Sequence, residues 1–337
     1  MVTENVKMKQ HYVPRVYLKQ FENSGKLLWM MPNHFHKYSP RVREVSRGQV
    51  CYEHDFYTIT NPSSLIRLGQ TDKNIIEKVF NARVENRYGK LITKLLKPGS
   101  VISYKEAEEI LKVLFSFKQR NPVFRQALHN PEFTMKLFNK RLNEIVAHRA
   151  TLSDILEKEG SMNFDQFIEY GRNYMYKFAQ DPNSSRQIHT EGIVKFYRDE
   201  DGAVKQIING LMAYEWHILE SKPAFPFITS DNPGFCIDTK EKIHNLNFGD
   251  IYCFCFPFTP IHSLMISAEF KNKYIRQKQI HSLKAGPELV KIINRGTFQV
   301  SYKNVLGNDV STLKNIWHDM IQFKPSLKKS DNSSPTS

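Results

Sequence analysis

The segment YCFCFPFTPIHSLMISA, residues 252–268, decides the β-sheet part of the fold. It contains two runs of aromatic, apolar and β-branched residues, one on each side of Thr259 and Pro260. Such runs are typical of buried strands, and the threonine and proline between them are typical of a turn. Cys253 and Cys255 alternate with a phenylalanine in the first run and are predicted to lie in a buried strand. The segment therefore predicts two strands of an antiparallel sheet.

Further runs of the same kind extend the predicted sheet. Each is short, apolar or aromatic, and bounded by residues that favour turns. The additional predicted strands are KLLWM (26–30), DFYTIT (55–60), LMAYEWHIL (211–219) and FPFITS (225–230). A sheet built from these segments draws mainly on the second half of the chain and on its N-terminal segment.

The middle of the chain has the pattern of helices. Apolar residues recur at helical spacing from about Thr71 to Lys97, where a Pro-Gly pair ends the pattern. Ser103 and Glu106 form a capping box, and the apolar interior ILKVLFSF predicts that the helix after it is buried. Further helices are predicted from Pro122 to about Ala150, around 164–179, near 286–298 and over 308–321.

The combined pattern predicts an α+β fold in which a helical lobe, at about residues 71–180, packs on the antiparallel sheet. Residues 1–323 are predicted to form a single α+β domain. The alternative is two lobes, the helical one and a sheet-containing one made of 1–70 and 181–323, and no linker in the sequence decides between them. The polar C-terminal segment 324–337 is predicted to be a disordered tail.

The chain is strongly basic. Its 337 residues include 48 lysines and arginines against 34 acidic residues, a formal charge of +14. Such an excess attracts polyanions, so nucleic acid or another polyanion is the predicted partner. The alternative is a basic protein that binds no polyanion specifically.

Several classes of protein are excluded by their missing motifs. The sequence has no GxxxxGK[ST] loop, GxGxxG turn, GxSxG elbow or HExxH helix, which argues against P-loop NTPases, Rossmann dehydrogenases, elbow-type serine hydrolases and zincins. Four cysteines are too few for a disulfide framework in a chain of this length. The start MVTENVKMKQ predicts no signal peptide, and no apolar run is long enough to span a membrane, so a cytoplasmic location is expected.

The first candidate site segment is QHYVPRVYLKQF, residues 10–21. It brings the imidazole of His11, the phenol of Tyr12 and the guanidinium of Arg15 together in a short stretch. Arginine binds phosphate through paired hydrogen bonds, and histidine exchanges a proton near neutral pH. His11 is therefore a candidate catalytic residue, and Tyr12 and Arg15 are candidate substrate-binding residues. The alternative is that His11 bonds a backbone group while the aromatic residues pack in the core.

The second candidate segment is KQRNPVFR, residues 118–125, at the end of the predicted buried helix. The residue before a proline leaves the helical region, so polar side chains emerge from the core at this point. Arg120 is a candidate catalytic cation, and Gln119 and Arg125 are candidate substrate-binding residues. Arg120 can equally cap the helix C-terminus, where positive charge is favoured.

The third candidate segment is FITSDNPGF, residues 227–235, where a predicted strand ends in residues that favour turns. Polar side chains at a strand end are held rigidly and often form sites. Asp231 is a candidate base, a candidate orienting group for His11 or a cation ligand, with Ser230 and Asn232 as candidate substrate-binding residues. The alternative for Asp231 is a turn in which its side chain bonds neighbouring amides.

A weaker feature is the pair Glu77 and Glu85. On a regular helix, residues eight positions apart lie about 80° around the axis and can share a side. Solvent-exposed charges are the simpler interpretation of this pair. The metal question stays open, because no clustered cysteines and histidines predict zinc, and a divalent ion such as Mg²⁺ is the candidate cofactor.

Taken in order, these segments resemble the bacterial family known as domain of unknown function 4238. The resemblance spans roughly residues 10–300 and rests on HYVPRVYLKQF, HDFYT, the helix with Glu77 and Glu85, QRNP, Trp216 followed by FITSDNP, and FPFTP. QRNP departs from the usual Gln-x-x-Arg-Thr-Pro form of the family, and FPFTP replaces FPLSP. The resemblance implies no particular activity. It implies that the following residues match signature positions: His11, Tyr12, Pro14, Arg120, Ser230, Asp231, Asn232 and Pro233.

One hypothesis joins these candidates: the three segments meet in an electropositive cleft that cleaves a phosphodiester bond of RNA or DNA. His11 would move a proton, Arg120 with Arg15 would neutralise the phosphate, and Asp231 would orient His11 or hold a divalent ion. A bacterial toxin or a phage-defence nuclease is the setting that fits this chemistry. Two alternatives stay open. One is a module that binds nucleic acid or a nucleotide without altering it, and the other is a structural or interaction protein in which HYVP and SDNP lock the N-terminal segment onto the sheet.

Overall fold

The chain has an α+β fold, as the sequence predicts. The computed structural model describes residues 8–34, 40–128, 130–160, 162–181, 183–198, 202–245, 251–271 and 277–330. The chain divides into two compact units. The first unit consists of Met1–Tyr57, Glu77–Asn121 and Arg198–Ser337, and the second consists of Thr58–Ile76 and Pro122–Tyr197.

The described strands lie in the first unit. They are β1 (Lys9–His11), β2 (Leu28–Pro32), β3 (Arg43–Val45), β4 (Tyr52–His54), β5 (Val101–Ser103), β6 (Tyr214–Glu220), β7 (Thr229–Ser230), β8 (Phe235–Asp238), β9 (Ile243–His244), β10 (Ile251–Thr259), β11 (His262–Lys271), β12 (Gln277–Lys284) and β13 (Asn304–Gly307).

Within the described ranges, these strands form three sheets. The largest has the order β5-β12-β6-β11-β10-β8-β9, a second has the order β3-β2-β13-β7, and β1 pairs with β4 alone. The hairpin β10–β11 is the centre of the largest sheet and pairs Phe254 with Ile266, which confirms the antiparallel prediction for residues 252–268. The strand β12 departs from that pattern, because it runs parallel to β6.

The described helices cover much of the rest of the chain. They are α1 (Arg15–Leu18), α2 (Pro62–Arg67), α3 (Ile75–Phe80), α4 (Asn86–Leu95), α5 (Tyr104–Gln119), α6 (Pro122–Leu128), α7 (Pro131–Ala147), α8 (Arg149–Glu159), α9 (Phe164–Gln180), α10 (Ser184–Tyr197), α11 (Gly202–Met212), α12 (Pro287–Val300) and α13 (Val310–Ser330). A 3-10 turn covers Lys19–Phe21, and a π-helix, Asn81–Glu85, joins α3 to α4.

Helix α5 is the buried helix that the sequence predicts. Ser103 accepts a hydrogen bond from the amide of Glu106, and the Glu106 side chain accepts one from the amide of Ser103, so the predicted capping box is confirmed. The C-terminal half of α5 is buried on every side through Gln119. The predicted end of the helix at Arg120 is therefore a point at which polar groups enter the core rather than leave it.

Helix α12 packs against two apolar clusters of the first unit. Its residues Val290 and Ile293 pack with Phe235 and with Cys253 and Cys255 of β10. Its residue Phe298 packs with the other cluster, which contains β13 and α13. The contact with the large sheet is close, because a β-carbon on Gly296 would lie 2.4 Å from the ring of Phe235. A glycine is therefore required at that point of α12.

The second unit consists of helices and loops in its described part. Its apolar cluster is built on Leu142 of α7 and on Phe164 and Ile168 of α9. Asn163 and Gln166 form a capping box at the start of α9. In the described parts of the chain, no helix is both long enough and apolar enough to cross a membrane.

Three local predictions differ from the structure. DFYTIT forms turns and loop rather than a strand, because the amide of Tyr57 bonds to a side chain, that of Gln10, instead of to a neighbouring strand. The helices α1, α2, α8, α10 and α11 were not predicted. Helix α13 continues to Ser330, where a disordered tail was predicted from residue 324, since each residue added to an anchored helix gains a backbone hydrogen bond. Residues 331–337 of the predicted tail lie outside the described residues.

Candidate functional site

Arg120 is the residue on which the candidate site is centred. It caps the C-terminus of α5, and its side chain is fully buried. Its Nη2 donates a hydrogen bond to the main-chain carbonyl oxygen of His11, and its own carbonyl oxygen accepts one from the hydroxyl of Tyr57 at 2.7 Å. The guanidinium carbon lies 3.7 Å from the centre of the Phe80 ring. These contacts hold the cation in one position inside the first unit.

His11 lies at the end of β1, opposite Tyr52 of β4. The Nε2 atom of its ring is buried and has no hydrogen-bond partner. Burial lowers the pKa of His11 to about 4, and the positive charges of Arg15 and Arg120 act in the same direction. A hydrogen bond from the ring to the backbone of Gly48 opposes this shift. The imidazole is therefore neutral at pH 7, with one nitrogen already bonded to the backbone.

Arg15 is the first residue of α1 and is exposed. The position that a β-carbon would take on Gly48 lies 4.0 Å from Nη2 of Arg15, so the Arg15 guanidinium lies beside the turn to which His11 is bonded. Lys9 adds a third positive charge that lowers the pKa of His11. The surroundings of the imidazole are therefore electropositive, as the sequence predicts for this segment.

Glu77 also belongs to the site, although the sequence predicted a solvent-exposed side chain for it. It lies on α3 one helical turn before Phe80, on which the Arg120 guanidinium is stacked. Its Oε2 atom is buried and has no hydrogen-bond partner. Burial raises the pKa of Glu77, the charge of Arg120 lowers it, and the carboxylate of Glu85 raises it further. The spacing of Glu77 and Glu85 was the available signal, but the spacing does not show that the Oε2 atom of the half-buried Glu77 is enclosed.

Glu85 is the last residue of a π-helix, Asn81–Glu85, which follows α3. A π-helix carries an extra residue per turn and therefore changes the direction in which flanking side chains point. Such segments are frequent at functional sites, because they are less stable than an α-helix and persist where a side chain has to be placed. This one lies between α3, which carries Glu77, and α4.

We call His11, Arg15, Glu77 and Arg120 the Arg120 cluster. Four of its atoms are buried without a hydrogen-bond partner: Nε2 of His11, Oε2 of Glu77, and Nε and Nη1 of Arg120. An unpaired buried polar group costs about 1–3 kcal/mol, and a charged one costs more. The cluster therefore has hydrogen-bonding capacity for water or for a polar ligand, and two guanidinium groups favour a ligand with negative charge.

Asp231 has a different setting from the one expected for a catalytic base or a cation ligand. It is fully buried, and its oxygens accept hydrogen bonds from the backbone amides of Tyr302, Lys303 and Asn304 at 2.8, 2.8 and 2.9 Å. Burial raises the pKa of Asp231 to about 6, while the three amides act to lower it. With both oxygens occupied in this way, Asp231 anchors the chain before β13, and we leave it out of the proposed chemistry.

Ser230 and Asn232, which flank Asp231, are also fully buried and bonded within the protein. The hydroxyl oxygen of Ser230 accepts a hydrogen bond from the amide of Asn232 at 3.1 Å. The Nδ2 atom of Asn232 donates to the carbonyl of Val300 and to Asn245. These contacts give both residues a structural role, and their predicted role in substrate binding has no contact to support it among the described residues.

Lys118 is a buried basic residue for which the sequence predicted no role. Its ammonium group donates hydrogen bonds to Asn232 and Asn245 side chains at 3.0 and 2.8 Å and to the carbonyl of Gly234. Burial lowers the pKa of Lys118 to about 7. Gly234 has a φ of 80°, and a β-carbon there would lie 2.5 Å from Phe256, so the turn after Pro233 requires glycine. The lysine thus fixes this turn to helix α5.

The remaining predicted site residues lie in three places. Tyr12 is buried, its ring is 6.1 Å from that of Phe56, and burial raises the pKa of its hydroxyl. Gln119 is buried at the end of α5. Arg125 belongs to the second unit, on α6, where its Nε donates to His189 at 3.2 Å. We leave these three residues outside the Arg120 cluster.

The three predicted segments nevertheless meet within the first unit. Arg120 contacts His11, and the side chain of the next residue, Asn121, donates a hydrogen bond to the carbonyl of Asp231 at 2.6 Å. Gln10 accepts a hydrogen bond from the amide of Tyr57, whose hydroxyl bonds to Arg120. HYVP, HDFYT, QRNP and SDNP are therefore linked by direct contacts although they are far apart in sequence.

Two cavities are lined by residues outside the Arg120 cluster. One, of about 410 Å³, lies in the first unit beside α12 and α13 and is lined by Phe225, Lys291 and Asp319, among others. The other, of about 370 Å³, lies in the second unit beside Asn61 and Arg186. No group of three or more histidine, cysteine, aspartate or glutamate side chains suited to a metal ion occurs in the part of the chain that the structure describes.

Comparisons with known proteins give one match. No curated protein and no solved structure matches the chain. The family described as "Protein of unknown function (DUF4238)" matches residues 9–311, which include every residue of the Arg120 cluster and Asp231. The match covers most of the 337 residues and confirms the family expected from the HYVP and ITSDNP segments. The chain belongs to the DUF4238 family of proteins of unknown function.

Proposed function

We propose that this protein is a nuclease that cleaves phosphodiester bonds at the Arg120 cluster. The observation that supports the proposal most directly is the set of four buried, unpartnered polar atoms of His11, Glu77 and Arg120. Two guanidinium groups beside an imidazole suit the charge of a phosphate group. Cleavage of a phosphodiester needs both the neutralisation of phosphate charge and the transfer of a proton, which these groups can supply.

His11 is the proton acceptor in this proposal. The hydrogen bond of its ring to the backbone of Gly48 engages Nδ1, since Nε2 has no partner, so Nε2 carries the free lone pair. The neutral imidazole can therefore accept a proton from the attacking hydroxyl group. A bound phosphate would offset the charges of Arg15 and Arg120 and would raise the pKa of His11 from about 4 toward the working pH. Binding of the substrate would thus make His11 a stronger base.

The distribution of charge supports a nucleic-acid substrate. The first unit contains 36 basic and 24 acidic residues, a formal charge of +12, whereas the second contains 12 and 10, a formal charge of +2. The excess that attracts a polyanion therefore belongs to the unit that contains the Arg120 cluster. We place this activity in the cytoplasm of a bacterium, in the setting of a toxin or of defence against phage.

A second candidate function is binding of nucleic acid or of a nucleotide without cleavage. Between these two ligands, the complete burial of Arg120 favours a nucleotide, because burial limits the approach of a long polymer to the guanidinium. A third candidate is a purely structural role for the signature segments. The contacts of Asp231 and Asn232 support that role for SDNP, but a structural role does not explain why the polar atoms of the Arg120 cluster lack partners.

The test is a cleavage assay on the full-length protein. Labelled RNA and DNA oligonucleotides are incubated at low salt, in parallel with Mg²⁺ and with EDTA. We expect product to accumulate, and His11→Gln to slow its formation by about 10²–10⁴-fold, the usual contribution of a general base. His54→Gln is the matched control, because His54 is exposed on β4, the strand paired with β1.

The outcomes separate the candidates. Product with wild type and with His54→Gln, but not with His11→Gln, supports the nuclease. Salt-sensitive binding without product over time, and weaker binding by Arg15→Met, supports the binding module instead. Equal cleavage by wild type and His11→Gln contradicts the assignment of the site.

A further inference from the structure

The Arg120 cluster contains a second group able to transfer a proton, the carboxyl group of Glu77. The charge of Arg120 acts on both Glu77 and His11, and the guanidinium bonds to the backbone of one and stacks on the helix of the other. Glu77 and His11 thus lie around a single cation. A phosphate held at that cation would have an acid and a base beside it.

The environments of these two groups move their pKa values in opposite directions. Burial and nearby cations lower the pKa of His11 to about 4, while burial and the charge of Glu85 raise the pKa of Glu77. Two titratable groups with pKa values displaced in this way take the roles of base and acid. These opposite directions fit a histidine that accepts a proton and a glutamate that donates one.

We infer that the substrate of this site is RNA, cleaved by its own 2′-hydroxyl group, with His11 as the base and Glu77 as the acid. The inference rests on the proposed nuclease function and names its substrate class. Nε2 of His11 removes the proton of the 2′-hydroxyl, and the 2′-oxygen forms a bond to phosphorus. The bond from phosphorus to the 5′-oxygen breaks, and that oxygen takes the proton of the Glu77 carboxyl group. The products are a 2′,3′-cyclic phosphate and a 5′-hydroxyl group.

The charges of the Arg120 cluster favour cleavage of RNA by its own 2′-hydroxyl group. In RNA the attacking group belongs to the substrate, so the protein has to supply only an acid, a base and positive charge. Arg15 and Arg120 supply the charge that a divalent metal ion supplies in other nucleases. The same two cations, with Lys9 near His11, oppose the binding of a metal ion beside His11.

The inference is tested with three oligonucleotides of one sequence: RNA, 2′-O-methyl RNA and DNA. Each is incubated with the full-length protein in EDTA, and the ends of the products are identified by mass spectrometry. We expect cleavage of the RNA alone and a 2′,3′-cyclic phosphate on the product. Glu77→Gln keeps the size of the side chain but has no proton to donate, and it is expected to slow cleavage by about 10²–10⁴-fold.

The pH profile distinguishes a chemical role of Glu77 from a structural one. Glu85→Gln removes the charge that helps to raise the pKa of Glu77, so the alkaline limb of the profile is expected to move to lower pH. An unchanged limb, or full activity of Glu77→Gln, overturns the role of Glu77.

Two outcomes separate this inference from the function on which it rests. Cleavage of DNA or of 2′-O-methyl RNA, or an absolute need for Mg²⁺, overturns the inference and leaves the nuclease proposal standing. Failure to cleave any of the three substrates, with or without Mg²⁺, overturns both.

Discussion

Arg120 donates a hydrogen bond from its guanidinium to the main-chain carbonyl oxygen of His11, which lies 109 residues earlier in the chain. The carbonyl of Arg120 is itself bonded by Tyr57, and its guanidinium is stacked on Phe80. The cation is thus fixed by three segments of chain before any ligand arrives. A charge fixed in this way needs no reorganisation on binding, which is the property that an electrostatic site requires.

Replacing Arg120 and Arg15 is expected to separate stability from binding. Arg120→Met leaves the carbonyl of His11 without its donor and should reduce the free energy of unfolding by about 1–3 kcal/mol. Arg15→Met changes an exposed residue and should alter that free energy by about 0.5 kcal/mol or less. Both variants should bind single-stranded RNA more weakly. Urea denaturation and a binding titration measure the two effects, and wild-type affinity of the Arg15 variant would contradict the assignment of that cation.

The stability of the protein is expected to depend on pH through His11. Its pKa is about 4 in the folded protein against 6.5 in the unfolded chain, so the unfolded chain binds the proton more readily between these values. The contribution of His11 to the free energy of unfolding therefore increases from pH 4 to 6.5 and is lost on acidification. Urea denaturation across this range should show that His11→Gln lacks this contribution.

Asp231 also makes the free energy of unfolding depend on pH in this range, but with the opposite sign. Its pKa is raised to about 6 from 3.8, so the folded protein holds the proton more readily, and stability falls as the pH rises between these values. The difference between wild type and His11→Gln isolates the histidine, because Asp231 is present in both. Identical pH dependence of the two proteins would show that His11 is not buried as described.

Asp231→Asn is expected to destabilise the first unit without a direct effect on chemistry. The new amide group would face backbone donors, and at least one of the three amides would lose its acceptor, at a cost of about 1–3 kcal/mol or more. Asp165→Asn is the matched control, since Asp165 forms an exposed ion pair worth about 0–1 kcal/mol. A thermal melt measures stability. If folded Asp231→Asn protein cleaves much more slowly than wild type, Asp231 has a direct role in the chemistry.

Binding of nucleic acid is expected to weaken steeply with salt. Each phosphate contact adds about one unit to the slope of log affinity against log salt concentration, so Arg15→Met should reduce that slope by about 1. Lys177→Met changes an exposed lysine of the second unit, whose formal charge is only +2, and serves as the control. Binding titrations at several salt concentrations give the slopes. An equal reduction by both variants would contradict a specific interface around His11.

The elements that depend on local sequence were predictable. The capping box of Ser103 and Glu106, the paired strands β10 and β11 and the α+β class follow from periodicity and turn residues, and the structure confirms them. The family was recognisable because HYVP and ITSDNP are specific, and the match over residues 9–311 confirms it. The capping box and the β10–β11 hairpin are each encoded within a short stretch of sequence.

Burial of the polar site residues was not predictable, because it depends on contacts between distant segments. The sequence around Asp231 is typical of a turn. In the structure, however, its carboxylate oxygens accept hydrogen bonds from backbone amides 71–73 residues later in the chain. Glu77 reads as an exposed helix charge until the stacking of Arg120 on the next turn is known. The π-helix at Asn81–Glu85 has no periodic signature, so the spacing of Glu77 and Glu85 was interpreted on a regular helix.

The pairing of β2 with β13 has a consequence for the synthesis of the protein. Asn33, directly after β2, bonds to the carbonyl of Ser301, 268 residues later. At a translation rate of about 5–20 residues per second, the first strands wait roughly 15 to 50 seconds for their partner. Throughout that interval the side chain of Met31, which packs with Val305 in the finished molecule, lacks that partner and is open to misassembly on the ribosome. A nascent chain of this kind is a natural client for a chaperone that shields its N-terminal segment until the last strand emerges.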